Sequence, residues 1–358
     1  MNKRSYRSAV LPAAALVCAM LLGAAPARAD ATQDCLAKKV AVADDHATVR
    51  DLREACAREV GNPAVSAAAQ PQPPSQPQVH AQAQSEPLSL TRQRAADESR
   101  TEMNRFVLSA YKQNYILPYT YVSQQNPIYA SPAVNEPWLN DHNELEYQVS
   151  VRIPILPRNL FIDGDNVHIA FTLLSFWQAY NSYSAPFRET NYEPELFYRA
   201  PLAFRPLGGY LDVRTGLEHQ SNGQSGALSR SWNRLYAQLI FSKDNYQIAL
   251  RPWYRFHESE KASPLASAGD DNPDITTYMG YFDLTGAIKF KYIEFTGLVR
   301  DNLHATNNYG ALQLGMSFPL FARVRGYAQY FNGYGESMID YNHHINRIGI
   351  GFILTEVL

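Results

Sequence analysis

From about Leu88 to Leu358 the chain runs as a succession of short segments in which apolar and polar residues alternate. A period of two sends successive side chains to opposite faces of an extended strand, so each segment has one greasy face and one polar face. Leu145, Tyr147, Val149, Val151 and Ile153 oppose Glu146, Gln148, Ser150 and Arg152, and Ile348, Ile350, Phe352 and Leu354 repeat the pattern near the end. About twelve strands are expected, near 112–122, 143–154, 166–179, 191–200, 209–220, 230–242, 245–257, 276–289, 290–301, 308–318, 322–332 and 344–354. Beyond the amino-terminal segment no window offers about 18 uninterrupted apolar residues, so no helix is expected to span a membrane.

A soluble β-sandwich alternates in the same way, and loop length separates the two folds. The connections after the even strands are mostly short, such as Ser242-Lys243-Asp244 and Pro319-Leu320-Phe321, while 123–142, 180–190 and 258–275 follow odd strands and are long. Short turns on one side and long loops on the other mark an outer-membrane barrel whose long loops are extracellular. The expected fold is therefore all-β, an antiparallel transmembrane β-barrel of about 12 strands. The 23 Tyr, 16 Phe and 4 Trp fit its aromatic girdles, and a net charge of −2 gives no bias toward nucleic acid.

Ahead of the barrel, Met1 to Ala29 has a basic start, an apolar run and Ala27-Arg28-Ala29 as a small-x-small cleavage site, which reads as a signal peptide. Residues 30–61 read as a small helical appendage in which Cys35 and Cys56 are expected to form a disulfide in an oxidising compartment. Residues 62–87, rich in Pro, Gln and Ala, read as a linker. The barrel is assigned to 88–358.

One stretch breaks the alternation in a chemically pointed way. From Tyr210 one face carries Leu211, Val213, Thr215 and Leu217, then His219 and Ser221; after a Gly/Ser-rich turn, Ser229, Ser231 and Asn233 precede Leu235, Ala237 and Leu239 on the matching face. Polar residues flanking a hairpin loop are commonly just the end of a greasy zone. Here, however, they are a hydroxyl, an imidazole and an amide, the set needed for a Ser-His-Asn variant of triad chemistry. Same-face neighbours two residues apart sit about 6.5–7 Å apart at the backbone, a gap that side chains can bridge. If the amino terminus is periplasmic, this face points into lipid near the outer leaflet. A channel gains nothing from polar groups there, whereas a hydrolase of membrane lipids needs its nucleophile there.

The run His219-Gln220-Ser221-Asn222-Gly223, with Ser229-Arg230-Ser231-Trp232-Asn233-Arg234-Leu235-Tyr236, resembles the bacterial outer-membrane phospholipase A family. Further matches are 186–194, Asp270-Asp271-Asn272-Pro273-Asp274-Ile275, Tyr278-Met279-Gly280-Tyr281 and Gly333-Tyr334-Gly335-Glu336-Ser337, in order from about 110 to the end. The resemblance implies a barrel that hydrolyses phospholipid acyl esters as a calcium-dependent homodimer. By position, Ser221 is the nucleophile, His219 the general base and Asn233 its orienting partner, with the Gly223 amide stabilising the oxyanion. Calcium would be held by the carbonyls of Gln224 and Ser229 and by Ser184 of the second subunit. A further calcium site in the family's monomer uses the position of Asp271 and an aspartate that is Gly226 here; a glutamine of the family's dimer interface is Leu173. The competing reading is a non-catalytic porin-like barrel, followed by a soluble exported all-β enzyme. Glu193, Glu195 and Arg199 are expected in an ion-pair network inside the lumen, 270–274 as an exposed turn with a calcium-binding loop as the alternative, and His343-His344 in a loop.

Overall fold

A computed structural model describes residues 88–358, apart from 102–103, 105–106, 132–139, 157, 264–265, 267 and 322–323, together with Lys39 and Cys56. The chain divides into two compact units, Met1–Ala83 and Gln84–Leu358. In the first, Lys39 and Cys56 are helical, and Cys56 is buried and disulfide-bonded. The expected signal peptide, the Cys35 end of the bridge and the linker lie outside the described residues.

The second unit opens with helix α1 (Leu90–Thr101) and a two-residue strand β1 (Ser109–Ala110). Twelve long strands follow: β2 (Asn114–Val122), β3 (Asn143–Pro154), β4 (Asn166–Trp177), β5 (Phe187–Leu202), β6 (Tyr210–Ser221) and β7 (Ser231–Lys243). Then come β8 (Tyr246–Arg255), helix α2 (Ile275–Met279), β9 (Phe282–Phe290), β10 (Ile293–Asp301), β11 (Gly310–Phe321), β12 (Val324–Gly333) and β13 (Ile345–Thr355). Each long strand pairs antiparallel with its sequence neighbour, and β13 returns to pair with β2, Ile348 opposite Tyr121, so the ring closes without a free edge. The alternation holds around the wall: Leu217, Leu235, Leu239, Ile248 and Leu250 point outward at 44–49% exposure. A belt of that kind is stable only against lipid.

Inside, the polar halves of the strands meet. Lys112 bridges Glu193 at 2.5 Å and Glu195 at 3.3 Å, while Glu195 also accepts from the hydroxyls of Tyr111 and Tyr236, each at 2.9 Å. Glu218 lies between Arg234 and Arg251, and Arg199 pairs with Asp212 at 3.4 Å. The lumen network expected around Glu193, Glu195 and Arg199 is present and larger than anticipated. A cavity of about 370 Å³ remains among these groups.

Both mouths are covered. At the short-turn end, α1 is fastened by Leu90 N–H to the Asp244 carbonyl at 2.8 Å, Arg92 to Asp212 at 3.1 Å and Arg152 to Glu98 at 2.5 Å. Its Arg94 guanidinium donates to the carbonyls of Glu356 and Val357, so the helix also ties down the carboxyl end. At the long-loop end, Ile275 and Met279 of α2 pack with Met338 and Tyr341 onto Trp232 and Trp253. The loop carrying Met338 is locked by Arg188, which reaches Asp340 at 2.9 Å. Burial on its own raises the Asp340 carboxyl pKa, but Arg188 and hydrogen bonds from Ser337 and Asn126 hold it below the usual carboxylate range.

Two expectations are corrected. The segment 276–289, expected as one strand, begins as α2 and becomes β9 only at Phe282. Ile275 and Met279, four residues apart and both buried, obey a helical period, and Gly280 at φ 62° ends the turn in a backbone region that favours glycine. The segment before the first strand holds α1, whose sequence LTRQRAADESRT has no apolar stripe to reveal it.

Candidate active site

β6 and β7 are joined by the loop 222–230 and run in register with His219 opposite Asn233 and Ser221 opposite Ser231. Odd-numbered side chains of both strands face outward, so His219, Ser221 and Asn233 share the lipid-facing wall just above Leu217 and Leu235. His219 Nδ1 and Asn233 Oδ1 are 2.9 Å apart. An amide oxygen can only accept, so this bond puts the proton on Nδ1 and leaves Nε2 with its lone pair free. Ser221 stands two residues further along the same face, and among the described contacts its hydroxyl makes no hydrogen bond to the ring. Nucleophile–base bonds are often loose before substrate arrives.

The loop is organised by Asn222. Its Oδ1 accepts from Gln224 N–H at 3.2 Å and Arg230 N–H at 3.0 Å, while its Nδ2 donates to the Leu228 carbonyl at 2.8 Å. These bonds close the turn around Gly223, whose φ of 64° suits glycine and where a Cβ would come within 3.2 Å of the Tyr192 ring. Among the described bonds the Gly223 amide takes no part. It is therefore available to an oxyanion.

Three groups of contacts around the site have no counterpart in the sequence reading. Asn233 Nδ2 donates to Glu258 Oε1 at 3.0 Å. Arg230 Nη1 donates to the Ser229 carbonyl at 2.6 Å and to the Ala227 carbonyl at 3.0 Å. Asp271 pairs with Lys261 and accepts from the hydroxyls of Ser229 at 2.8 Å and Ser231 at 3.3 Å. The 270–274 segment is accordingly a clasp and not an exposed turn: Asp270 takes both its oxygens to Arg255 at 2.6 and 2.7 Å, and the buried Asn272 accepts from Ser231 N–H at 3.0 Å.

The oxygens of Gln224, Ser229 and Ser184 are hard donors of the sort calcium takes. They fit it on one condition, that the Arg230 guanidinium leaves the Ser229 carbonyl, because a fixed positive charge there opposes a divalent cation. Ser184 is exposed on the 178–186 loop, and no hydrogen bond or ion pair among the described residues joins it to Gln224 or Ser229. At Asp271 the fit fails: with Gly226 bringing no carboxylate, the one acid is already matched by Lys261 and two hydroxyls.

A closed barrel with an apolar outer wall, a charged and crowded interior, and an imidazole–amide pair beside a serine on that wall defines an integral outer-membrane β-barrel with a polar cluster on its lipid-facing side. The profile of the phospholipase A1 family matches residues 91–354. A phospholipase A1 of Klebsiella pneumoniae is 38% identical over 259 residues, spanning 71% of this chain and 84% of that protein. The calcium-bound dimer of the Salmonella typhi outer-membrane phospholipase superposes with a TM-score of 0.65 at 36% identity, covering 73% of this chain and 97% of that one. An active-site variant of the Escherichia coli outer-membrane phospholipase A, with alanine in place of an asparagine, also superposes with a TM-score of 0.65, at 35% identity, over 74% of this chain and 98% of that one. The chain belongs to the phospholipase A1 family and is an outer-membrane β-barrel enzyme.

Proposed function

We propose that this barrel hydrolyses the acyl ester bonds of phospholipids, with Ser221 as nucleophile, His219 as general base and Asn233 as the residue that orients the imidazole. The observation that carries the reading is the 2.9 Å His219–Asn233 bond on the wall that faces lipid. Nε2 takes the Ser221 proton as Oγ attacks the ester carbonyl, and returns it to the departing lysophospholipid oxygen as the acyl-enzyme forms. Water, deprotonated in turn by His219, releases the fatty acid and restores the hydroxyl. The Gly223 amide, which takes no part in the described hydrogen bonds, donates to the oxygen that becomes negative in each step.

The calcium-bound Salmonella dimer supports a calcium-binding homodimer, in which the family resemblance gives Gln224 and Ser229 of one subunit and Ser184 of the other as the ligands of one ion; the active-site asparagine of the Escherichia coli variant supports an asparagine in the hydrolytic set. When bound, the ion adds positive charge beside the developing oxyanion. A porin-like barrel is the weaker reading, because the lumen is crossed by ion pairs and covered at both ends among the described residues.

A sulfonyl fluoride should label Ser221 in the parent and not in His219→Ala, and Ser221→Ala should lose hydrolysis of mixed micelles to background. Asn233→Ala should keep a measurable fraction, since the amide positions the base without taking its proton. Equal labelling of the parent and His219→Ala would remove His219 from the reading.

A further inference from the structure

Asn233 is held on both sides. Its Oδ1 faces the imidazole at 2.9 Å, and its Nδ2 donates to Glu258 Oε1 at 3.0 Å. An ionised carboxylate accepts only, so Glu258 can be satisfied by the amide's NH2 end and by no other. Were Asn233 to flip, an amide oxygen would meet the carboxylate and an NH2 would meet Nδ1. The first contact is repulsive, and the second would invite the proton away from Nδ1 and onto Nε2, where it disables the base.

The position of Glu258 is itself built. It continues the outward, even-numbered face of β8, after Leu250, Tyr254 and Phe256. Pairing with β7 extends past the strand end, with Phe256 N–H donating to the Asn233 carbonyl at 2.9 Å, so Glu258 reaches Asn233 as a diagonal cross-strand neighbour. Behind it the loop is pinned by Asp270 N–H to the Ser259 carbonyl at 2.7 Å and by the Arg255–Asp270 pair. A half-buried carboxylate at this height needs a donor, and Asn233 supplies one.

We infer that Glu258 is a positioning residue of the hydrolytic site: it fixes the orientation of the Asn233 amide and, through it, the tautomer of His219. The inference rests on the reading of Ser221, His219 and Asn233 given above. The set is then four residues long, ending in an acid that touches neither substrate nor base.

The test is a double-mutant cycle in the full-length, calcium-loaded protein, with folding checked by heat-modifiable gel mobility. Glu258→Ala should lower kcat about tenfold with KM changed less than about twofold, because orientation of the base matters in the transition state and little in binding. Glu258→Gln, which can still turn an oxygen toward Asn233, should stay within about threefold of the parent. In an Asn233→Ala background, Glu258→Ala should have no further effect, since no amide remains to orient. Full parental kcat in Glu258→Ala, or a loss that multiplies unchanged with that of Asn233→Ala, overturns the inference. A loss in Glu258→Gln as large as in Glu258→Ala also overturns it, by showing that charge and not acceptance matters. If Ser221→Ala hydrolyses lipid like the parent, the site reading itself fails; if Ser221→Ala is dead while Glu258→Ala is unchanged, only the role of Glu258 fails.

Discussion

At Asp271 a single carboxylate meets the Lys261 ammonium and the hydroxyls of Ser229 and Ser231. The family resemblance places an aspartate where this chain has Gly226, and restoring it alone should not create a calcium site in the monomer. Lys261 would still neutralise Asp271, and the new side chain would sit at φ 62°, a region that aspartate tolerates at some cost. Calcium titration of detergent-held monomers should show no binding for Gly226→Asp and measurable binding for Gly226→Asp with Lys261→Ala; binding by the single variant would show that Lys261 yields easily. The outward placement of His219, Ser221 and Asn233 was legible in the sequence because a period of two admits only two faces. The contacts of Lys261, Arg230 and Glu258 were not legible, because each depends on how a loop closes, which no periodicity describes.

The two helices show where pattern reading stops. The strands follow from alternation, and the short-turn, long-loop asymmetry of the connections points to the closed ring that the β2–β13 pair completes. α1 is polar all round, so it exists through its contacts with the barrel and not through a stripe of its own. α2 is too short for a helical period to overrule an alternating look, and what marks it in the structure is the burial of Ile275 with Met279 and the stop at Gly280. The contacts of α1 imply a measurable effect. Arg92→Ala leaves the buried Asp212, among the described ion pairs, with the longer 3.4 Å contact to Arg199, which should cost about 1–3 kcal/mol and lower the unfolding temperature in detergent. Hydrolysis at low temperature should be unaffected, since α1 lies at the end of the barrel opposite the site. An unfolding temperature equal to the parent's would mean that Asp212 finds other partners.

For the whole molecule, the proposed calcium site exists only when two barrels meet. Linkage then requires calcium to tighten dimerisation by the same factor that dimerisation tightens calcium binding. Energy transfer between labelled barrels in micelles, measured with calcium and with chelator, should show the dimer favoured by calcium, and more strongly in Arg230→Ala, where no guanidinium competes for the Ser229 carbonyl. A dimer indifferent to calcium in both proteins would separate the metal from the interface. The oxygens of that site could be named by position, but its competition with Arg230 could not, since the contact depends on how the 222–230 loop closes. The packed interior carries one more implication. With ion pairs crossing the described lumen and the proposed site on the outer wall, that site is reached sideways, by lipids and, in the proposed dimer, by a second copy travelling in the same sheet of membrane. Encounter is therefore a two-dimensional matter, governed by molecules per unit area, and while pairing is weak, turnover per cell should climb with the square of the number of barrels in the envelope.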